Sequence, residues 1–367
     1  MLLKNKVLIV GQTPPPYGGQ AIAIKNIVDM LSEYSNVLHI RVGFADEMND
    51  LGKFRVKKIV ELFRLIFAIY RVQFNEKCDI LYYPAPGGLK KGPLLKDILI
   101  IASTRFLFKK LILHFHAGGL NVFYQKLNFF YRFILFHTFK NSDLGIVLSS
   151  NNSDDAKIIK SQKIEVMPLG IKDVFFGKTA KISKPLQLLF VGVLKESKGV
   201  LVLLEACIIL RLKKIDFILN LIGKFDSLSF ELFVLNFIKL NNLTDNVNLC
   251  GVKIDEEKFD FFANADIFCF PTFFESETFG IVNIEAMMFE LPVISTNWRG
   301  IPDIIEDGTT GYLCPIKNPE AIADKIETLY RNPKLRIEMG KSGRVKFLKN
   351  YTLDVFKNNI VNAFDNC

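Results

Sequence analysis

No run of 18 uncharged apolar residues occurs in the sequence, which argues against a transmembrane helix. The first apolar stretch, Val7–Val10, is too short for a secretory signal and ends at Gly11, a residue suited to a strand-to-loop turn. Cysteine is sparse and scattered: Cys78, Cys207, Cys250, Cys269, Cys314 and Cys367 form no C-x-x-C pair. Such spacing supports neither a disulfide framework nor a zinc site, and fits a reducing cytoplasm. Asp-x-Asp is absent, and no His and carboxylate cluster has metal-ligand spacing, so neither a metal nor another cofactor is expected.

The composition is that of a globular chain, 50% hydrophobic and 23% charged, with 34 Phe. At 367 residues it exceeds what one core holds comfortably, so two domains are expected. Its net charge of +9 is unevenly placed. Residues 1–180 hold 25 Lys and Arg against 14 Asp and Glu, and residues 51–140 alone hold 16 against 4. A one-sided basic surplus among Phe, Leu and Ile suggests an anionic membrane surface or a lipid-attached partner, against the simpler reading of a solvated basic face. No nucleic acid is expected as a partner.

Short β-rich runs alternate with helical patterns throughout, the signature of parallel α/β architecture. The first set reads as Val7–Val10, Val37–Arg41, Ile80–Tyr83, Leu111–Phe115, Leu144–Leu148 and Glu165–Met167. The second reads as Leu186–Val191, Phe217–Ile222, Val247–Cys250, Ile267–Phe270 and Pro292–Ser295. Between them, 171–185 is rich in Lys, Gly, Ser and Pro and reads as a linker. This divides the chain into 1–170, the linker, 186–350 and a final helical stripe within 351–367. Asn318-Pro319 and Asn332-Pro333 each look like an N-cap followed by proline at the first helical position.

The most informative stretch runs from Pro271 to Ser295. An apolar strand ends at Pro271, a polar loop carries Glu275 and Glu277, and a helix opens near Gly280. The loop delivers Glu277 and the Phe279-Gly280-Ile281 backbone to the carboxyl end of a parallel sheet, where open α/β folds bind ligands. Free N–H groups at the helix start suit a phosphate. Glu285, more than one turn into the helix, can accept two hydrogen bonds from a vicinal diol such as ribose. In the first half, Gly11 to Ala21 follows a strand and carries Gly18 and Gly19, whose N–H groups can approach an anionic oxygen. That loop has neither the G-x-G-x-x-G nor the P-loop pattern, which lowers the nicotinamide and NTPase readings.

The string from Glu277 through Phe279, Gly280, Glu285 and Ala286 to Pro292 resembles, in register, the signature of retaining glycosyltransferases of family 4. Only Glu277 has Phe-Gly two residues on and Glu at plus eight, which separates it from Glu275. Gly192 to Gly199 resembles the family's Gly-Arg-Leu-x-x-x-Lys-Gly motif, with Lys198 in register and Val193 in the arginine slot; Lys195 is the nearest other cation. His116, in His114-Phe-His116-Ala-Gly-Gly, falls on the family's active-site histidine, and Leu169 replaces an asparagine the family often has.

The resemblance implies the GT-B fold, two Rossmann-like doubly wound α/β domains facing across a cleft, with the last helix crossing back to the first domain. It implies a nucleotide-diphospho-sugar donor, retention, no metal, and a polyprenyl-linked or oligosaccharide acceptor in bacterial surface polysaccharide biosynthesis. Catalytic roles then fall to His116, Glu277 and Lys198. Donor binding falls to Gly18, Gly19, Lys198, Phe279, Gly280, Ile281 and Glu285. The enzyme would be cytoplasmic and peripheral on the inner face of the membrane, held there by a helix whose Lys53, Lys57, Arg64 and Arg71 align in one stripe. A nucleotide-sugar epimerase of similar fold, or a nucleotide-sugar-binding protein without transfer, is the alternative.

Overall fold

The computed structural model describes residues 2–15, 19–43, 56–86, 91–177 and 185–367. They divide into two compact units, residues 1–170 with 353–367, and residues 171–352. The first unit runs β1 (Val7–Gly11), α1 (Gly19–Met30), β2 (Val37–Arg41), α2 (Val56–Glu76), β3 (Ile80–Pro84), α3 (Lys91–Thr104) and β4 (Lys110–Phe115). It continues α4 (Leu120–Lys126), α5 (Phe129–Phe139), β5 (Leu144–Val147), α6 (Ser153–Lys157) and β6 (Lys163–Val166). The second runs β7 (Leu186–Val191), α7 (Val200–Leu212), β8 (Phe217–Ile222), α8 (Leu228–Leu240), β9 (Val247–Leu249), α9 (Asp255–Asn264) and β10 (Ile267–Phe270). It ends α10 (Ile281–Met288), β11 (Val293–Thr296), α11 (Ile301–Ile304), β12 (Gly311–Cys314), α12 (Pro319–Arg331) and α13 (Pro333–Asn350); α14 (Leu353–Asp365) follows.

Each unit holds one six-stranded sheet, in the orders β2-β1-β3-β4-β5-β6 and β12-β11-β10-β7-β8-β9, and the paired strands run parallel. Strand composition follows place in the sheet. Central β1, β3 and β10 are buried throughout and read as continuous apolar runs, as strands covered on both faces must. Edge strand β2 is half-buried and accommodates His39 and Arg41. β12, which the strand reading did not include, follows a turn at Asp307-Gly308, where Asp307 Oδ1 accepts from Leu313 N–H at 2.9 Å.

Two local readings are revised. The described part of the supposed linker, 171–177, packs on the second unit. Asp173 takes both guanidinium nitrogens of Arg344 at 2.9 and 2.7 Å, and the Phe175 and Phe176 rings meet Phe289 edge-on. The Asp173–Arg344 pair and the two ring contacts on Phe289 hold a stretch whose polar composition suggested a free connector. Of the two Asn-Pro steps, Asn318 caps α12, accepting from Ala321 N–H at 2.8 Å. Asn332 also stands at the N-cap of α13 with Pro333 at the helix start, but its side chain turns back and donates to Thr328 O at 3.0 Å, because α13 begins where α12 ends and an orphan carbonyl needs a donor there.

Helix α14 belongs to the first unit. Asn5 Nδ2 donates to Phe364 O at 2.8 Å, Lys4 N–H donates to Asp365 Oδ1 at 2.7 Å, and Phe364 meets the Tyr82 ring edge-on. Its buried face is Phe356, Ile360, Ala363 and Phe364. No helix among the described residues is long and apolar enough to cross a membrane.

Candidate active site

In the second sheet the chain winds outward from β7 to β9, then returns to start again at β10 beside β7. That reversal opens the carboxyl ends of β7 and β10 next to one another, the place where open α/β sheets take ligands. The loop after β7 ends in a 3-10 turn, Glu196–Lys198, and the loop after β10 carries Glu277. Backbone bonds stitch the two together, with Phe273 N–H donating to Ser197 O at 2.8 Å. Gly199 makes the close approach possible: its φ is +84°, and a Cβ there would stand 2.1 Å from Pro271 O.

Lys198 Nζ donates to Glu277 Oε2 at 2.6 Å, and Thr272 Oγ1 donates to the same oxygen at 3.1 Å. Glu277 is buried whereas Glu275 is exposed, which settles which glutamate the loop presents inward. The Lys198 ammonium also lies 4.6 Å from the Phe274 ring centroid, and Lys195 lies 5.5 Å from the same ring. Both cations therefore collect at one aromatic face, while Val193 in the arginine slot is exposed.

Gly280, at φ +70°, turns the chain into α10, and the first turn of that helix leaves N–H groups without intrahelical acceptors. A Cβ on Gly280 would meet Asn283 Nδ2 at 2.7 Å, so the tight entry needs glycine. Phe279 contributes backbone only, since its ring is buried edge-on against Tyr351. Ile281 is the first residue of α10. Glu285 is buried on α10, and Lys258 of α9 donates to its Oε1 at 2.6 Å. Sequence reasoning missed Lys258, because it is 27 residues away on a helix whose polar pattern reads as solvated surface. Among the described residues, Ser197 Oγ and both amide atoms of Asn283 are buried without a hydrogen-bond partner. Polar atoms of that kind call for a ligand or water.

The first unit has its own reversal, between β1 and β3. Gly18 lies outside the described residues; Gly19 opens α1 with open space where a side chain would stand. His116 follows β4 and is buried, its ring 3.9 Å from that of His114 between centroids. Tyr82 Oη lies 2.6 Å from His114 Nδ1 and 3.4 Å from His116 Nε2. Burial pushes His116 down to about 3 and holds His114 well below the imidazole range, so both rings are neutral at physiological pH. Among the described residues no group of three His, Cys, Asp or Glu is arranged to hold a metal.

This geometry can be set beside known proteins. Residues 171–346 match the family described as glycosyl transferases group 1. That match lies within the second unit. Over 361 residues it is 28% identical to an uncharacterized glycosyltransferase of Methanocaldococcus jannaschii, spanning 95% of this chain and 94% of that one. A capsular polysaccharide biosynthesis glycosyltransferase of Staphylococcus aureus is 40% identical over 102 residues, 28% of this chain and 26% of that protein. Anabaena HepE, solved in complex with UDP, shares the fold with a TM-score of 0.74 at 15% identity, over 99% of this chain and 100% of that one. The two-sheet architecture is the GT-B fold.

Proposed function

We propose that this group 1 glycosyltransferase moves a sugar from a nucleotide-diphospho-sugar to a lipid-linked glycan in bacterial surface polysaccharide biosynthesis, with retention and without a metal ion. The observation that carries the reading is the largely buried Lys198–Glu277 pair at the β7–β10 reversal, beside the start of α10. Cation, carboxylate and free helix N–H groups meet there, the set needed to hold a sugar by its hydroxyls while stabilising a departing diphosphate. The capsular relative and the UDP complex of HepE support the pathway and the donor class.

In this reading Lys198 meets the diphosphate and Glu277 holds the donor sugar. Glu285, held by Lys258, takes the ribose. The Lys198–Glu277 bond opens as the diphosphate takes the ammonium, which frees Glu277 for the sugar hydroxyls. His116, neutral, serves the acceptor side as a hydrogen-bond partner rather than as a charge. The anomeric C–O bond to phosphate breaks, the acceptor oxygen bonds to the same face, and the leaving diphosphate takes the acceptor proton. The enzyme works at the inner face of a membrane, where such an acceptor resides.

The test is nucleoside diphosphate release with and without acceptor, in EDTA, with NMR assignment of the product anomer. Release only with acceptor, unaffected by chelation, and a retained anomer are expected. Donor turnover without acceptor would make the protein an epimerase-like enzyme. Donor binding without release would make it a binding protein. Metal-rescuable loss in EDTA, or an inverted anomer, would overturn the mechanism.

A further inference from the structure

Three adjoining helices of the first unit turn large apolar side chains outward, aromatic on α2 and α5 and leucine on α3. α2 is apolar on two sides: Leu62, Leu65 and Ile69 are buried, while Phe63, Phe67 and Phe74 are 67, 71 and 84% exposed. With Tyr70 between them, the spacings of four, three and four put these rings in one stripe. α3 packs on α2 and exposes Leu95 and Leu99; α5 packs on α3 and exposes Phe129, Phe130 and Phe133. Phe106, also exposed, meets Tyr70 edge-on at 6.4 Å and continues the surface. Single exposed apolar residues are ordinary, but a run of exposed Phe and Leu across three packed helices marks an interaction surface.

Charge selects the occupant. Residues 56–140 hold 14 Lys and Arg against 4 Asp and Glu. Three of those acids are engaged within the unit: Glu76 with Lys6, Asp79 with Lys109, and Asp97 with Tyr83. Arg64 and Arg71 are exposed among the aromatics of α2. A second copy docking here would set like charge against like, which opposes self-association. We propose that α2, α3 and α5 form a docking face that sinks its Phe side chains into the acyl boundary of an anionic bilayer. This deepens the membrane part of the proposed function and rests on it. The basic stripe expected at the sequence level is thus complemented by an aromatic one; Lys53 lies outside the described residues, and nothing is described of the Lys57 side chain.

Flotation with phosphatidylcholine vesicles containing about 30% phosphatidylglycerol tests the proposal. Wild-type protein should float, and part should stay bound in about 0.5 M NaCl, where charge attraction is screened but apolar insertion is not. The exposed set Phe63→Ser, Phe67→Ser, Phe129→Ser and Phe130→Ser should keep the fold and lower partitioning at least roughly tenfold. A Phe67→Trp variant should be quenched by brominated acyl chains. No flotation, unchanged flotation of the serine variant, or an unquenched tryptophan overturns the proposal. So does a wild-type dimer that the serine set dissolves. Diphosphate release with a soluble acceptor should be equal in wild type and serine variant. Absent release in wild type would sink the transferase reading and leave flotation untouched.

Discussion

Replacing Lys198 separates what the Lys198–Glu277 pair does for folding from what it does for chemistry. At 2.6 Å, an effective dielectric near 20 gives an attraction of about 6 kcal/mol, most of it offset by desolvating two largely buried ions. Lys198→Met leaves the Glu277 carboxylate buried with Thr272 as its remaining partner, at a cost of roughly 3 kcal/mol. Glu277→Gln is milder, about 1–2 kcal/mol, because the ammonium keeps the Phe274 ring and some water. The double variant should cost about as much as the milder single, giving a coupling energy of about 3 kcal/mol. Urea unfolding followed by tryptophan fluorescence measures this, because Trp298 is the only tryptophan and its Nε1 donates to Phe274 O at 2.9 Å in the same loop. Stability should return in the double variant while turnover stays down at least roughly 10²-fold. Coupling below about 0.5 kcal/mol would refute the pair as an energetic unit, and wild-type turnover in Lys198→Met would refute the diphosphate assignment.

Three further outcomes are expected. His116 is neutral when folded down to about pH 3, whereas the unfolded chain takes up that proton below about 6.5; stability of the first unit is therefore full above pH 6.5 and falls toward pH 3, by at most about 4–5 kcal/mol from His116. His116→Asn should flatten that acid slope in circular-dichroism melts; an unchanged slope would contradict the buried neutral ring. Lys258→Met should raise donor KM about tenfold with kcat nearly unchanged, as Glu285→Ala should, since both remove ground-state binding; a kcat-only loss would remove Glu285 from the donor site. Gly199→Ala should cost about 3 kcal/mol or more, through left-handed backbone and overlap with Pro271 O, whereas Gly308→Ala, at φ +76° in open space, should cost only about 1–2. Equal melting losses for the two would show that the Pro271 contact relaxes.

The alternation of apolar runs and helical stripes was enough to place eleven of the twelve strands among the described residues, because a parallel strand covered on both faces must be apolar whatever its neighbours are. Glu277 and Gly280 were legible for the same local reason: a strand end, a polar loop and a helix start are consecutive in the chain. Lys258 was not legible, since its partner Glu285 comes from another helix, and only the winding of the sheet brings α9 beside α10. The outward Phe stripe of α2 was ambiguous too. A helix apolar on two sides does not say by itself which side meets the sheet; packing decided it by burying Leu62, Leu65 and Ile69. Patterns that depend on neighbours in the chain are written in the sequence. Pairings that depend on which elements the sheet order makes adjacent exist only once the chain has folded.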